Sequence, residues 1–377
     1  MLMITIHELG HYLAAKLLKI RVDEFSIGFG KALFKRKSKK TGEVFAIRLI
    51  PLGGYCAFEG GDVADGGGHK REVSGDEVYP NRTGILFNDA APWKRLIVLF
   101  AGAFFNFISA IIFSMIFLVA IGYYQGVTIH RGEFNSAFIH ENNNNVSRLQ
   151  EGDIIVEVNG QKLNFFNTWQ EVMSQKNARE IAYSGNNIIP VVVIRDGIKT
   201  NVVMEIFHSS TDQTGTRFYG PGIRGSISSI RMSFTDALGY GFIFTFQLAG
   251  MILVFLWQLV TGQMQFFGNV GGPITTVSVM AQGIGANPMS ILILLPLISV
   301  NLALFNLLPI PALDGARMVF VGVEWARGKP INPDIEGRIH MVGLFALLAV
   351  VLLADIGFLL FGGGVLERLS MLGVWRL

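Results

Sequence analysis

His7-Glu8-Leu9-Gly10-His11 carries the clearest chemistry in this chain, and the apolar run Tyr12 to Ile20 follows it at once. Two histidines at i and i+4 lie on the same face of a helix, the spacing at which both imidazoles reach one zinc ion. Glu8, beside the first histidine, stands where a general base could act on a water held at that ion. Two histidines need at least one further protein ligand to make a catalytic zinc site with an open position. The second candidate is Asp314, at the end of an apolar segment in Asn306-Leu307-Leu308-Pro309-Ile310-Pro311-Ala312-Leu313-Asp314-Gly315. A carboxylate next to hydrocarbon is costly unless paired or metal-bound. The bland alternative is an aspartate that caps a helix just beyond the membrane surface, behind a proline-rich terminator.

The elements that must position these residues are hydrophobic. Of 377 residues 51% are hydrophobic and 16% charged, against roughly 25% charged in a soluble protein, so the chain reads as a membrane protein. A net charge of +3 gives no case for nucleic-acid binding. Cys56 is the only cysteine. That excludes an intramolecular disulfide and leaves histidine and carboxylate as metal ligands. No motif links a histidine to Cys56, which reads as a packing residue rather than a nucleophile. No cleavable signal peptide is visible, because the first apolar run contains the histidine pair.

Residues 1–18 form a short apolar segment, and 96–122 a transmembrane helix long enough for about 30 Å of hydrocarbon. Residues 236–260, 289–308 and 339–361 are further apolar segments, and 365–377 reads as an amphipathic tail. Basic residues crowd Lys16 to Arg48, which places that stretch in the cytoplasm by the positive-inside rule. Residues 125–230 then lie outside. Hydropathy alone makes 236–260 a crossing helix. A crossing would put Asp314 on the outer side, away from His11, so this segment is expected to enter from outside without crossing. Residues 261–288 contain no Lys or Arg, in keeping with that side.

The outer region carries strand and turn signals. Gly152 to Gly160 is an alternating strand ending in Asn-Gly, and Pro190–Arg195, Asp196-Gly197 and Val202–Ile206 make a hairpin. Thr168-Trp169-Gln170-Glu171 is a capping box. This succession resembles a PDZ domain, though any small β-rich domain is the plainer alternative. Asn142-Asn143-Asn144-Asn145 stands where such domains carry a compact apolar run.

Taken together, the His-Glu-x-x-His helix and the Asn-x-x-Pro-x-x-x-Leu-Asp-Gly run resemble the site-2 protease family of intramembrane zinc metalloproteases, nearest its sigma-E-regulating bacterial branch. Phe25–Gly30, Ile50–Tyr55, Trp93-Lys94-Arg95, Ala101-Gly102, Asn106 and Ser299–Leu302 match the family's other segments. The resemblance implies Zn2+ held by His7, His11 and Asp314, with Glu8 as general base and Asn306 contacting the substrate strand or reaction intermediate. It implies a multi-pass α-helical protein of the bacterial inner membrane, with a membrane-associated β-hairpin and an inserted extracytoplasmic PDZ-like α+β domain. The parts are 1–122, 125–230, 231–288 and 289–377. Its partners would be the lipid bilayer and single-pass membrane substrates of the anti-sigma-factor type, with signal-peptide remnants as further substrates and peptide contact at the PDZ-like domain. Gly53, Gly54 and Tyr55, in a hairpin around Val44 to Phe58, would pair with the unwound substrate by β-addition.

Three features depart from the family: only six residues precede His7, Ala103 replaces a usual proline, and a single PDZ-like domain is visible. Two other classes are weighed. A catalytically dead scaffold is opposed by the intact Glu8 and Asp314, and zinc content decides it. A transporter would show internal inverted repeats, and none is found. His69, His130, His140, His208 and His340 are read as having no metal role.

Overall fold

The structure is a computed structural model. It describes residues 1–60, 83–129, 149–150, 152–163, 172, 188–205, 207–211, 217–220, 225–230, 232–263, 270–286 and 288–361. The chain forms two compact units, one gathering Met1–Ser114, Gly241–Ser278 and Ile291–Gly362, the other built on Met115–Tyr240.

In the first unit, α1 (Leu2–Leu17) buries Met3, His7, Gly10, His11, Ala14 and Ala15. That is a single stripe at helical spacing, so the histidines sit on the packed face. Helix α2 (Pro92–Ala120) starts with proline at its first position, where the missing N–H costs nothing. Gly10 sets α1 against α2 so closely that a Cβ there would overlap the Ala101 carbonyl.

Between them run β1 (Val22–Lys37) and β2 (Val44–Phe58). The hairpin expected around Val44 to Phe58 forms with β1 as its other arm. The turn lies at Ser38–Glu43, closed by the Ser38 N–H to the Glu43 carbonyl at 2.8 Å, and Val44–Phe58 is one strand paired with β1. Both strands bend: Glu24–Ile27 lies between Val44–Ile47 and Gly54–Ala57, while Val44–Ile47 also pairs with Phe34–Lys37. Gly28 (φ 87°), Gly30 (φ 81°) and Gly53 (φ 144°) adopt the backbone angles that the bends require. Arg48 ties the layers together, donating to Ser26 Oγ at 2.9 Å and the Gly30 carbonyl at 2.7 Å and pairing with Glu24. Phe29, Leu33, Phe34, Ile47, Leu49 and Ile50 are exposed on this sheet, an apolar surface larger than water would leave uncovered.

Further helices follow later in the chain: α3 (Phe234–Val260), α4 (Pro273–Ala286), α5 (Ile291–Leu307) and α7 (Pro333–Phe361), with the shorter α6 (Asp314–Arg327) between the last two. Pro92–Ala120, Phe234–Val260, Pro288–Leu307 and Asp334–Phe358 are each long and apolar enough to cross a membrane. Helix α1, at 16 residues, reaches only about 24 Å.

The second unit holds a six-stranded sheet of order β10 (Gly225–Ile230), β3 (Tyr123–Ile129), β4 (Ile154–Val158), β6 (Ile188–Arg195), β7 (Ile198–Glu205), with β5 (Gln161–Lys162) beside β4. β8 (Phe207–Thr211) and β9 (Arg217–Gly220) pair separately. Asn159-Gly160 and Asp196-Gly197 make the expected two-residue turns, with φ of 48° and 78°, then 52° and 79°. Asp153, almost fully buried, receives two guanidinium bonds from Arg195 at 2.8 Å each, locking the start of β4 to the end of β6. The capping box at Thr168–Glu171, the asparagine run and the tail after residue 361 lie outside the described residues.

Candidate metal centre

The site forms where α1, α2 and the start of α6 meet. His7 Nε2 lies 2.9 Å from Asp314 Oδ2, His11 Nε2 lies 3.2 Å from the same oxygen, and the two Nε2 atoms are 3.1 Å apart. Among the described residues these are the three His, Cys, Asp or Glu side chains whose donor atoms all lie within 4.8 Å of one another. Both histidines are buried. His11 Nδ1 is 2.8 Å from the Val98 carbonyl and donates to it, which leaves Nε2 as the ring's lone-pair nitrogen.

Zinc fits this set. Two imidazole nitrogens and one carboxylate oxygen match its preferred donors, and bonds of about 2 Å in a tetrahedron put neighbouring ligands roughly 3.3 Å apart. Space for the rings comes from Gly102, where a Cβ would overlap His11 Nε2 and His7 Cε1.

Asp314 is the first residue of α6, and Leu313 is its N-cap, without a capping side-chain bond. The carboxylate therefore does not act as the helix cap and turns to the histidines. The loop before it is held from α7. The Ala312 N–H donates to His340 Nδ1 at 2.9 Å, and Ala312 takes a φ of 80°, unusual for a side-chain-bearing residue. Gly343 lets α7 lie directly on Pro311, and Gly315 lets α6 fold back onto the Leu307 and Leu308 carbonyls. His340, expected from sequence to have no metal role, lies outside the cluster but fixes the chain two residues before Asp314. A lone histidine in a helix carries no local sign of that contact.

Glu8 is partly buried, and the backbone N–H of Cys56 bonds to it. Gly54 is beside it: a Cβ at that glycine would fall 3.4 Å from Glu8 Cγ. The Gly54–Ala57 edge of the sheet, which among the described residues pairs on one side only, therefore runs past the acid. The other two proposed substrate contacts differ. Gly53 faces the Phe29 ring, and Tyr55 donates its hydroxyl to Glu24 at 2.8 Å. The Asn306 amide comes to 3.5 Å of His7 Nδ1, and the buried Asn106 amide to 3.4 Å. Cys56 is buried in the apolar cluster with Ala15, Val98 and Leu99, and that burial pushes its thiol well above the ordinary value. It is inert packing.

Comparison with known proteins gives a concordant picture. The family model described as "Peptidase family M50" matches residues 1–350. The zinc metalloprotease RasP of Bacillus licheniformis is 27% identical, over 93% of this chain and 94% of its own. RasP of Oceanobacillus iheyensis is 28% identical over 93% and 94%. A Fusobacterium nucleatum protein, provisionally named a zinc metalloprotease, is 30% identical over 94% of each chain.

Proposed function

The chain belongs to peptidase family M50, the zinc metalloproteases of the site-2 type, and from that premise we propose that it cuts transmembrane segments of single-pass proteins within the bilayer. The observation that carries this reading is the convergence of His7, His11 and Asp314 at one point, among helices apolar enough to be membrane spans. In the proposed roles these three hold zinc and Glu8 is the general base. Zinc supplies Lewis acidity to a scissile carbonyl and to water. Glu8 accepts the proton of the attacking water and delivers it to the leaving amine. His11, fixed by Val98, and His7 keep their Nε2 lone pairs aimed inward. Asn306 is left to contact the substrate strand or the intermediate.

A peptide bond inside a membrane helix is hidden by the helix's own hydrogen bonds, and lipid offers no replacement for them. The Gly54–Ala57 edge beside Glu8 is suited to accept an unwound strand by β-addition. Tyr55→Pro removes one backbone donor from the strand that forms that edge. It is expected to slow cleavage of stable helical substrates several-fold more than of spans already weakened by Gly or Pro. Kinetics on paired substrates check this, and equal loss on both would mean general misfolding instead.

The substrates are read as anti-sigma-factor-type proteins already trimmed outside a bacterial inner membrane, and signal-peptide remnants. Residues 125–230 are read as a PDZ-like extracytoplasmic filter. A substrate carrying a folded outer domain should be cut more slowly than the same span with a short tail, and equal rates would remove the filter.

Helix α3 is proposed to enter from outside and not to cross. Support comes from α7. Asp355 accepts the Ile274 and Thr275 N–H groups at 3.1 and 3.0 Å and the Thr275 hydroxyl at 2.8 Å, which anchors the start of α4. His340, on the same helix, holds Ala312. The two lie fifteen residues apart, about 22 Å along the axis. The chain just after α3 is thus tied to the end of α7 opposite the Asp314 loop. Arg317, Arg327, Lys329 and Arg338 follow the aspartate motif in the chain, in keeping with a cytoplasmic side. With Cys56→Ser as background, Gly262→Cys should react with a membrane-impermeant thiol reagent added to intact cells. Reaction only after the membrane is opened would mean a true crossing.

A further inference from the structure

We infer that Asn106 is a positioning residue of the metal centre, its amide oxygen accepting the Nδ1–H of His7 and holding that ring for the metal. The inference rests on the reading of His7 as a zinc ligand. His7 Nε2 faces Asp314 and His11, so a neutral ring bound through Nε2 carries its proton on Nδ1. The groups within reach of Nδ1 are two amides, Asn106 at 3.4 Å and Asn306 at 3.5 Å.

Burial separates the two. Asn106 is fully buried, and its Oδ1 has no hydrogen-bond partner. Its Nδ2 points at His7 Nδ1, which would set donor against donor once Nδ1 carries the proton. A half-turn of the amide exchanges its two ends. It gives Nδ1–H an acceptor and satisfies the stranded oxygen in one move. Asn306 is partly exposed and has no such stranded atom, so it stays available to substrate. The Asn106 backbone is itself pinned, its carbonyl accepting the hydroxyls of Ser109 at 2.8 Å and Ser299 at 3.0 Å.

The same helix holds the other ring. Val98, Gly102 and Asn106 recur every fourth residue on α2, one stripe along its face. The Val98 carbonyl takes His11 Nδ1–H, Gly102 makes room for both rings, and Asn106 takes His7. The i, i+4 pair on α1 is thus matched by an i, i+4, i+8 stripe on α2. A metal-bound histidine that donates its second N–H to a fixed acceptor is oriented in one tautomer, and loss of such a partner costs about 10–100-fold in metal affinity.

The test measures the zinc dissociation constant of the full chain in detergent, by competition with a chelator of known affinity. Asn106→Leu should weaken zinc binding about 10–100-fold, and Asn106→Asp, which keeps an acceptor, should restore it. At saturating zinc, Asn106→Leu should regain most of its kcat with KM unchanged, because it acts through His7. Asn306→Leu should bind zinc normally and lose cleavage. If Asn106→Leu fails to fold, as judged by its melting curve, Asn106→Ala carries the same expectation. Wild-type zinc affinity in Asn106→Leu or Asn106→Ala, or loosened zinc in Asn306→Leu alone, would overturn the inference. His7→Ala separates this from the larger reading. If it too binds zinc as the wild type does, the metal site itself is misassigned; if it loses zinc while Asn106→Leu and Asn106→Ala keep it, only the role of Asn106 falls.

Discussion

Glu8→Gln is expected to lower turnover by at least about 100-fold while zinc stays bound. A positioned general base contributes roughly 10²–10⁴-fold, and the amide cannot take a proton from water at neutral pH. The substitution should be silent for the fold. Gln has the same shape, and its oxygen still accepts the Cys56 N–H that the carboxylate accepts now. His7, His11 and Asp314 are untouched, so metal content should match the wild type. The check pairs turnover with metal analysis on one preparation. Turnover within about tenfold of wild type would remove Glu8 from the mechanism.

The second large effect separates ligand from base. Asp314→Ala leaves two imidazole nitrogens, which under-coordinate zinc. Zinc affinity should fall by more than the roughly 10–100-fold that loss of an outer partner costs, and cleavage should fall with it. The loop should keep its place, since the Ala312–His340 bond and the Gly343 contact on Pro311 do not involve the carboxylate. Metal analysis and a melting curve check both halves. Full zinc in the variant would mean that another residue supplies the third ligand.

How much of this was legible beforehand follows from how local each feature is. His7, Glu8 and His11 share one turn of helix, so their spacing alone placed both imidazoles on one face. Asp314 lies 307 residues from His7. Spacing says nothing at that distance, and the aspartate stood out only through the cost of a carboxylate beside hydrocarbon and through resemblance. The turns at Asn159-Gly160 and Asp196-Gly197 were readable because type I′ geometry demands those residues. The bent sheet was not readable. In Val22–Lys37 only Phe25, Ile27 and Phe29 alternate, and nothing in that pattern shows that Glu24–Ile27 pairs on both sides, which depends on positive φ at Gly28, Gly30 and Gly53. His340 and Asn106 have their partners elsewhere in the chain; no local pattern marks His340, and Asn106 stood out only through the resemblance, as part of the match with Ala101-Gly102.

The most direct test of the account is to map where a single-pass substrate is cut. The protein in membranes or detergent is given a substrate with a short outer tail, and mass spectrometry of both product ends locates the break. The cut is expected inside the apolar span, lost when zinc is chelated, restored when zinc is returned, and absent with Glu8→Gln. A break outside the span, or one that survives zinc removal, would contradict the account.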